Sequence, residues 1–485
     1  MANPAAGDTT LSRRLGRDWL GDSRAPLLSV AAPVALLVIG LAAFSPALVT
    51  QDFWLALVSG REIAQHGLPH VDHLTVMASG HRWVDQQWLA QLILYEAARL
   101  GGVGAAAAVC LFAEAAALSI VGFIAHRRGA SPVAILLFLV LCVAAAPWGF
   151  QFRPQALALP LFSVTLWLLL RDPGARRNST LWGLPVLCLW ANVHGSSVLG
   201  ALLVMLYGAQ ALVRAADRAG RLRGLACLLL AAPALLVSPY ATSLPGYYRL
   251  MLLDPPFGRE IKEWHRTTPS GLTAVFFLLL VVAVVLVVMR RRRLVLFDLL
   301  VLGLTLLTAL DAIRGILWFG LACVALLPAL ATRLPGTSRF EGRAAEALAW
   351  TAAAVTLGVV VWVAARPAAA YLTQFPRSTV DVVESRTTNS NALVYADDSS
   401  ADWLLWRLPS LRGRVAYDVR FELLTESQIA RLAAWDRLDP GWRRAGAGYS
   451  VVAADPKHVA ALVATGNWRR LFASPKLEVA VRRAR

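Results

Sequence analysis

The sequence predicts a mainly α protein: a polytopic membrane helix bundle of about eleven spans, followed by a small extracytoplasmic α/β domain. Three observations carry this. Of 485 residues, 57% are hydrophobic and 16% charged, against roughly 45–50% and about 25% in soluble domains. Apolar runs such as Val103–Ala125, Leu272–Met289 and Ala344–Ala365 reach the roughly 20 residues that cross a hydrocarbon core about 30 Å thick. Beyond residue 366 that character fades, and short β-type runs alternate with helical ones.

The N-terminal tail, residues 1–26, carries Arg13, Arg14, Arg17 and Arg24 ahead of the first span. The apolar run that follows exceeds the h-region of a signal peptide, and Phe44–Gln51 is a poor cleavage site, so the segment reads as a retained anchor. Spans are expected near 27–49, 103–125, 131–148, 154–170, 180–194, 196–213, 224–239, 271–289, 294–310, 313–331 and 344–365. The basic clusters Arg13/Arg14/Arg17, Arg127/Arg128, Arg171/Arg176/Arg177, Arg214/Arg218/Arg221/Arg223, Arg290 to Arg293 and Arg333/Arg339/Arg343 then share one side, which the positive-inside rule makes cytoplasmic. The net charge of +17 is thereby explained by topology, and nucleic-acid binding is excluded.

An odd number of spans makes 27–366 the membrane bundle, with a long first outer loop at 50–102, and places 367–485 outside the cell membrane. In that tail the alternation runs Ala392–Tyr395, Ser400–Arg407, Arg414–Tyr417, Glu426–Trp435, Ser450–Ala453, Lys457–Thr465, Trp468–Phe472 and Leu477–Val481. The five cysteines, Cys110, Cys142, Cys188, Cys227 and Cys323, fall in apolar segments at no metal-ligand spacing, and are expected as small core residues.

Functional residues concentrate at the outer side. Within Gln51–Leu89 the first loop packs three aspartates, four histidines and three tryptophans, and a loop of this length is usually functional. His66 and His70 are four apart, but Gly67 and Pro69 between them oppose the helix that would align them on a metal. The outer span ends add Arg153 in WGFQFRPQ, Asn192 and His194 in LWANVHGSS, Tyr240 in SPYATSLPGYY, Glu263 in REIKEWHRTTP, and Asp311 and Arg314 in LDAIRG. Polar residues at membrane depth mark functional cavities. Tryptophans such as Trp54 and Trp88 suit a sugar face, though interfacial belts use the same residue, and Arg153 or Arg314 suits a phosphate. Glu114, in mid-span, is expected to face the bundle and be hydrogen bonded. Asp52, just past the first span, stands where burial and partner choice tune a carboxylate as a base.

These residues and motifs resemble the GT-C superfamily of integral membrane glycosyltransferases, and more narrowly a group of bacterial multi-pass membrane proteins. The matching motifs are DFWLALVSGREI, GLPHVD, WVDQQWL, FRPQ, LWANVHGS, SPY, IKEW and VAYDVR, and the resemblance covers most of the chain. A histidine expected after the paired aromatics of the first motif is replaced by Leu55. The resemblance implies an inverting transfer of a sugar from a polyprenyl-phosphate donor to a glycan, lipid or protein acceptor. Asp52 would be the base, with Asp72 or Asp85 a second acid. Trp54, Trp88, Arg153, Asn192, His194, Tyr240, Glu263 and Arg314 are then the candidate substrate and donor residues. A divalent cation, Mg or Mn, is compatible with the family, but no ligand set stands out and no metal residue is assigned. Two other classes stay open: a transporter or flippase of a polar or lipid-linked solute, which calls for an inverted repeat, and a non-catalytic partner that keeps the fold.

Overall fold

A computed structural model describes residues 25–172, 177–253, 255–332, 343–372, 375–388 and 390–483. The expected N-terminal tail up to residue 24, and Arg13, Arg14, Arg17, Arg176, Arg333 and Arg339 of the basic clusters, lie outside the described residues. Every expected span carries helix. The helices are α1 (Ala25–Ala43), α2 (Gln51–His66), α3 (Trp88–Arg127), α4 (Pro132–Ala145), α5 (Gln155–Leu170), α6 (Gly183–Trp190), α7 (Ser197–Arg214), α8 (Arg218–Ala234), α9 (Leu244–Leu253), α10 (Ala274–Arg290), α11 (Leu296–Asp311), α12 (Ile316–Leu326) and α13 (Arg343–Ala365).

By length and composition α3, α7, α10 and α13 can cross a membrane unaided, and α1, α4, α5 and α12 are shorter apolar helices. Burial sorts them. The apolar stretch of α3 is 67% buried, against 17% for α10 and 22% for α13, so α3 is the central post and the other two present apolar side chains outward, as lipid-facing helices do. Around α3 pack α1, α2, α5, α12 and α13. A close crossing is α7 on α8, where a Cβ on Gly208 would lie 2.6 Å from the Gly224 carbonyl oxygen; small residues let membrane helices approach in this way. All five cysteines are unpaired, and only Cys188 is less than fully buried.

One end of the bundle is fastened by turn-to-turn contacts: Arg128 Nη2 lies 2.8 Å from Asp298 Oδ1, and the Ser131 amide donates to Thr332 Oγ1 at 3.0 Å. The first polar loop lies at the other end, and it is less of a loop than its composition suggests. Residues 51–66 form α2, whose Phe53, Trp54, Leu57 and Val58 are buried, and α3 begins at Trp88. Its interfacial first part bends into the span at Gly101 and Gly102, the latter at φ +75°, a left-handed value that favours glycine. Only residues 67–87 remain irregular.

The tail forms α14 (Arg377–Thr387), β1 (Val394–Ala396), α15 (Asp398–Arg407), α16 (Glu426–Arg437), β2 (Val451–Ala454), α17 (Pro456–Ala464), β3 (Trp468–Phe472) and β4 (Glu478–Arg482). The sheet runs β1-β2-β4-β3, with β1 and β2 parallel and the other pairs antiparallel. β1 and β2 are buried throughout, which is why they read as continuous apolar runs.

The first polar loop joins this sheet. Val415 bridges Val394 of β1 on one side and Thr75 on the other, and the Val76 and Met77 amides donate to the Val415 and Ala416 carbonyls at 2.8 and 2.9 Å. A buried ion-pair knot pins the seam. Arg420 Nη2 lies 2.7 Å from Asp72 Oδ1 and 2.5 Å from Asp418 Oδ2, with its guanidinium 4.1 Å over the Trp83 ring. Arg412 Nε adds a 3.0 Å bond to Glu62 Oε2. Tail and loop are therefore one packed body above the bundle.

Candidate functional site

Between that body and the polar helix ends lies a cavity of about 920 Å³. Its floor comes from the bundle. Phe152 donates its amide to the Leu48 carbonyl at 2.9 Å, which sets the turn before α5 beside the turn before α2 and brings Arg153 to Asp52. Arg153 Nη1 lies 3.1 Å from Asp52 Oδ2 and 3.3 Å from Glu263 Oε2, while Nη2 donates to the Trp148 carbonyl at 3.3 Å. Burial works against the Arg153 charge, but Glu263 and Asp52 more than offset it and hold its pKa above the ordinary value. Asp52 also sits in the first turn of α2, where the helix dipole favours a carboxylate.

Arg314, in the turn between α11 and α12, has its guanidinium carbon 3.1 Å from the Trp264 ring centroid, a cation–π contact that fixes its plane. His194 lies in the turn between α6 and α7. Its Nδ1 accepts the Ser196 amide at 3.1 Å; an acceptor nitrogen carries no proton, so the imidazole is the Nε2–H tautomer. Asp52, Arg153, His194, Glu263 and Arg314 all line the one cavity. The arrangement is a half-exposed carboxylate paired with one guanidinium group, with a second guanidinium and an imidazole on the walls of the same cavity.

Six of the expected site residues do not line it. Asp72 is fully buried in the seam, where it also accepts the Thr75 hydroxyl at 2.8 Å. Asp85 is buried, and burial pushes its carboxyl up to about 7. Trp54 is fully buried edge-on between Phe53 and Phe375, a packing residue. Trp88 donates from Nε1 to Asn192 Oδ1 at 2.8 Å, and Asn192 in turn donates to the Cys188 and Val237 carbonyls, so both tie helix ends together. The Tyr240 hydroxyl donates to the Pro69 carbonyl at 2.7 Å. The polar atoms of Asp72, Trp88, Asn192 and Tyr240 are thus used by the fold, whereas Trp54 Nε1 and Asp85 Oδ2 are buried without a hydrogen-bond partner. Glu114 is buried in α3, yet neither of its oxygens has a hydrogen-bond partner, contrary to expectation.

The roof of the cavity comes from the tail, and sequence reasoning missed it. Asp397, Asp398, Tyr417, Glu422, Trp435 and His458 line it. Burial raises the carboxyls of Asp397 to about 6 and of Glu422 to about 7. Tyr417 lies within the VAYDVR motif, the one tail signal that pointed here.

Among the described residues, Asp397, Asp455 and His458 are the one group spaced for a metal ion. Most of its polar atoms are engaged, but His458 Nδ1, 3.0 Å from Asp455 Oδ1, has no hydrogen-bond partner. Asp397 accepts Trp435 Nε1 at 3.0 Å and the Asp455 amide at 2.9 Å, Asp455 Oδ1 caps α17, and His458 Nε2 bonds the Trp435 carbonyl at 2.8 Å. Beside Asp52, the Arg153 guanidinium fills the place between two carboxylates where a cation would sit. Among the described residues the first-loop histidines join no such group.

No family model matches the sequence, and no curated protein matches it either. Solved structures do. ArnT from Cupriavidus metallidurans is similar over 92% of this chain and 97% of its own, at 13% identity and a TM-score of 0.49 in the apo state, and at 12% and 0.48 bound to undecaprenyl phosphate. The apo oligosaccharyltransferase of Archaeoglobus fulgidus is similar over 88% of this chain and 69% of its own, at 10% identity and a TM-score of 0.48. At these identities and scores the likeness assigns neither a residue nor a reaction.

Proposed function

We propose that the protein is an integral membrane glycosyltransferase that moves a sugar from a polyprenyl-phosphate carrier to an extracytoplasmic glycan, lipid or protein acceptor. The observation that supports this reading is the cavity in which Asp52 shares Arg153 with Glu263 while Arg314 and His194 face the same space. In this reading the N-terminus is cytoplasmic in a cell membrane, the bundle (27–366) holds the donor and the tail (367–485) the acceptor.

The transfer is a single displacement. Asp52 takes the proton of the acceptor hydroxyl, the acceptor oxygen bonds the anomeric carbon, and the carbon–oxygen bond to phosphate breaks on the opposite face with inversion. The leaving phosphate keeps the electron pair, and Arg153 and Arg314 stabilise its charge. Arg153 also holds the base in place through their ion pair.

The test uses the purified chain with radiolabelled polyprenyl-phosphate sugar. Asp52→Asn is expected to lower transfer by about 10²–10⁴, the usual worth of a positioned base. Unchanged transfer by that variant sinks the base assignment. The competing reading, a non-catalytic partner, is favoured by Leu55 where the family has histidine, and it gains if the wild type transfers from no donor.

A further inference from the structure

A second concavity lies on the tail, away from the large cavity. It measures about 600 Å³ and is lined by Arg386 of α14, Arg469 of β3, Arg482 of β4 and Arg483, over a floor of Ala392, Val451 and Val481. We propose that this groove binds a phosphate-bearing polyanion. The proposal does not depend on the transfer reaction.

Four arginines line the groove and no aspartate or glutamate does; Arg482, which follows Val481 and pairs with Trp468, turns its side chain to the other sheet face. Among the described residues Arg386, Arg469 and Arg483 have no carboxylate partner, while Arg482 makes one long bond, 3.3 Å, to the Gly446 carbonyl and lies over the Trp468 ring. The register explains the convergence. Val451 pairs with Val481, and Val481 with Arg469; paired residues share a sheet face, so Arg469 stands in line with the apolar floor.

Two blander accounts fall short. Charged residues on an edge strand deter strand addition, which suits Arg469 and also Arg470, held 3.2 Å from Glu478; it leaves Arg386, on a helix, unexplained. Basic residues that set topology belong on the cytoplasmic side, and the tail is the wrong place for them under the proposed orientation. The tail's charges are also sorted: Asp397, Asp398, Glu422, Asp436 and Asp455 line the large cavity, and none lines the groove. Unpaired guanidinium groups held around a concave surface match the bidentate demands of phosphate, and several at once call for a ligand with several charges.

The test is calorimetric titration of the full chain, in neutral-detergent micelles, with sodium tripolyphosphate at low and high salt. Saturable binding that weakens with salt is expected, and Arg386→Gln with Arg469→Gln should weaken it at least tenfold. Arg291→Gln with Arg292→Gln, at the far end of the bundle, should leave it unchanged, and Arg386→Lys with Arg469→Lys should keep part of it. A parallel titration with dihexanoyl phosphatidylglycerol separates the sources: binding of that lipid alone, lost in the glutamine pair, assigns the groove to a lipid headgroup. Absence of saturable binding to either probe, or equal affinity in the Arg386→Gln/Arg469→Gln variant, overturns the proposal.

Discussion

Replacing Arg420 with methionine tests whether the seam between the first polar loop and the tail rests on one buried cation. The side chain is almost fully buried, contacts Asp72 and Asp418 at 2.7 and 2.5 Å, and covers Trp83. Methionine keeps much of the volume and removes the charge, leaving two buried carboxylates facing each other. Breaking a buried pair from one side costs about 3–5 kcal/mol. That cost falls on local opening of the seam, whose backbone bonds are the Val76 and Met77 amides on Val415 and Ala416. At about 1.4 kcal/mol per tenfold change, hydrogen exchange at those two amides should speed up by two to three and a half orders of magnitude, roughly 100- to 4,000-fold. Exchange within α3 should stay as in the wild type. A change below about threefold at Val76 and Met77, under 1 kcal/mol, would refute the reasoning. Acid should mimic the variant late. Burial works against the Asp72 charge, but Arg420 and Thr75 more than offset it and hold the carboxyl below its ordinary value. Such a group stabilises above its unfolded pKa and loses that contribution as pH falls through the folded value, so this contribution to the seam is lost below about pH 4.

Glu422 has the opposite sign: its carboxyl is raised to about 7, so it binds a proton on folding and its contribution declines as pH rises from about 4 towards 7. Glu422→Gln should therefore melt higher than the wild type at pH 8 and match it near pH 5; parallel curves at both pH values would contradict the assignment. Arg153→Leu leaves Asp52 and Glu263 without their shared cation, and should lower donor turnover by about 10²–10³, the scale for a lost charge stabiliser; unimpaired turnover counts against its role. The Cβ of a leucine at Gly208 meets the Gly224 carbonyl, whereas a Cβ at Gly303 meets nothing within 4 Å. The first should cost about 1–3 kcal/mol as overpacking does, read as a lower melting point in detergent, and the second should be silent; equal melting points would show that the α7–α8 crossing is not tight.

Membrane spans were legible because their signal is local: twenty apolar residues need no partner to be recognised. The tail's alternation was equally plain, and Ser450–Ala453 and Trp468–Phe472 fall on β2 and β3 to within a residue. Composition misled where a polar or aromatic residue has two uses. Trp54 and Trp88 look like sugar platforms, yet one fills the core and the other holds Asn192. Asp72 has the same composition signal as Asp52, and only the arrival of Arg420, some 350 positions away in sequence, turns it into a structural ion pair. The roof of the cavity was illegible for the same reason. Asp397 and Glu422 are ordinary soluble-domain acids until the seam swings them over Asp52.

That seam also has a consequence in time. Val76 and Met77 are made early, but the carbonyls that receive their amides belong to Val415 and Ala416, which are synthesised after every helix of the bundle. Through all of that interval the first loop has no edge to pair with and the cavity no upper wall. The cavity is thus open while the helices are made, and is roofed only when the last hundred or so residues have reached the loop. A chain interrupted before residue 413 would keep its membrane helices and Asp52, yet have no enclosed chamber in which to use them.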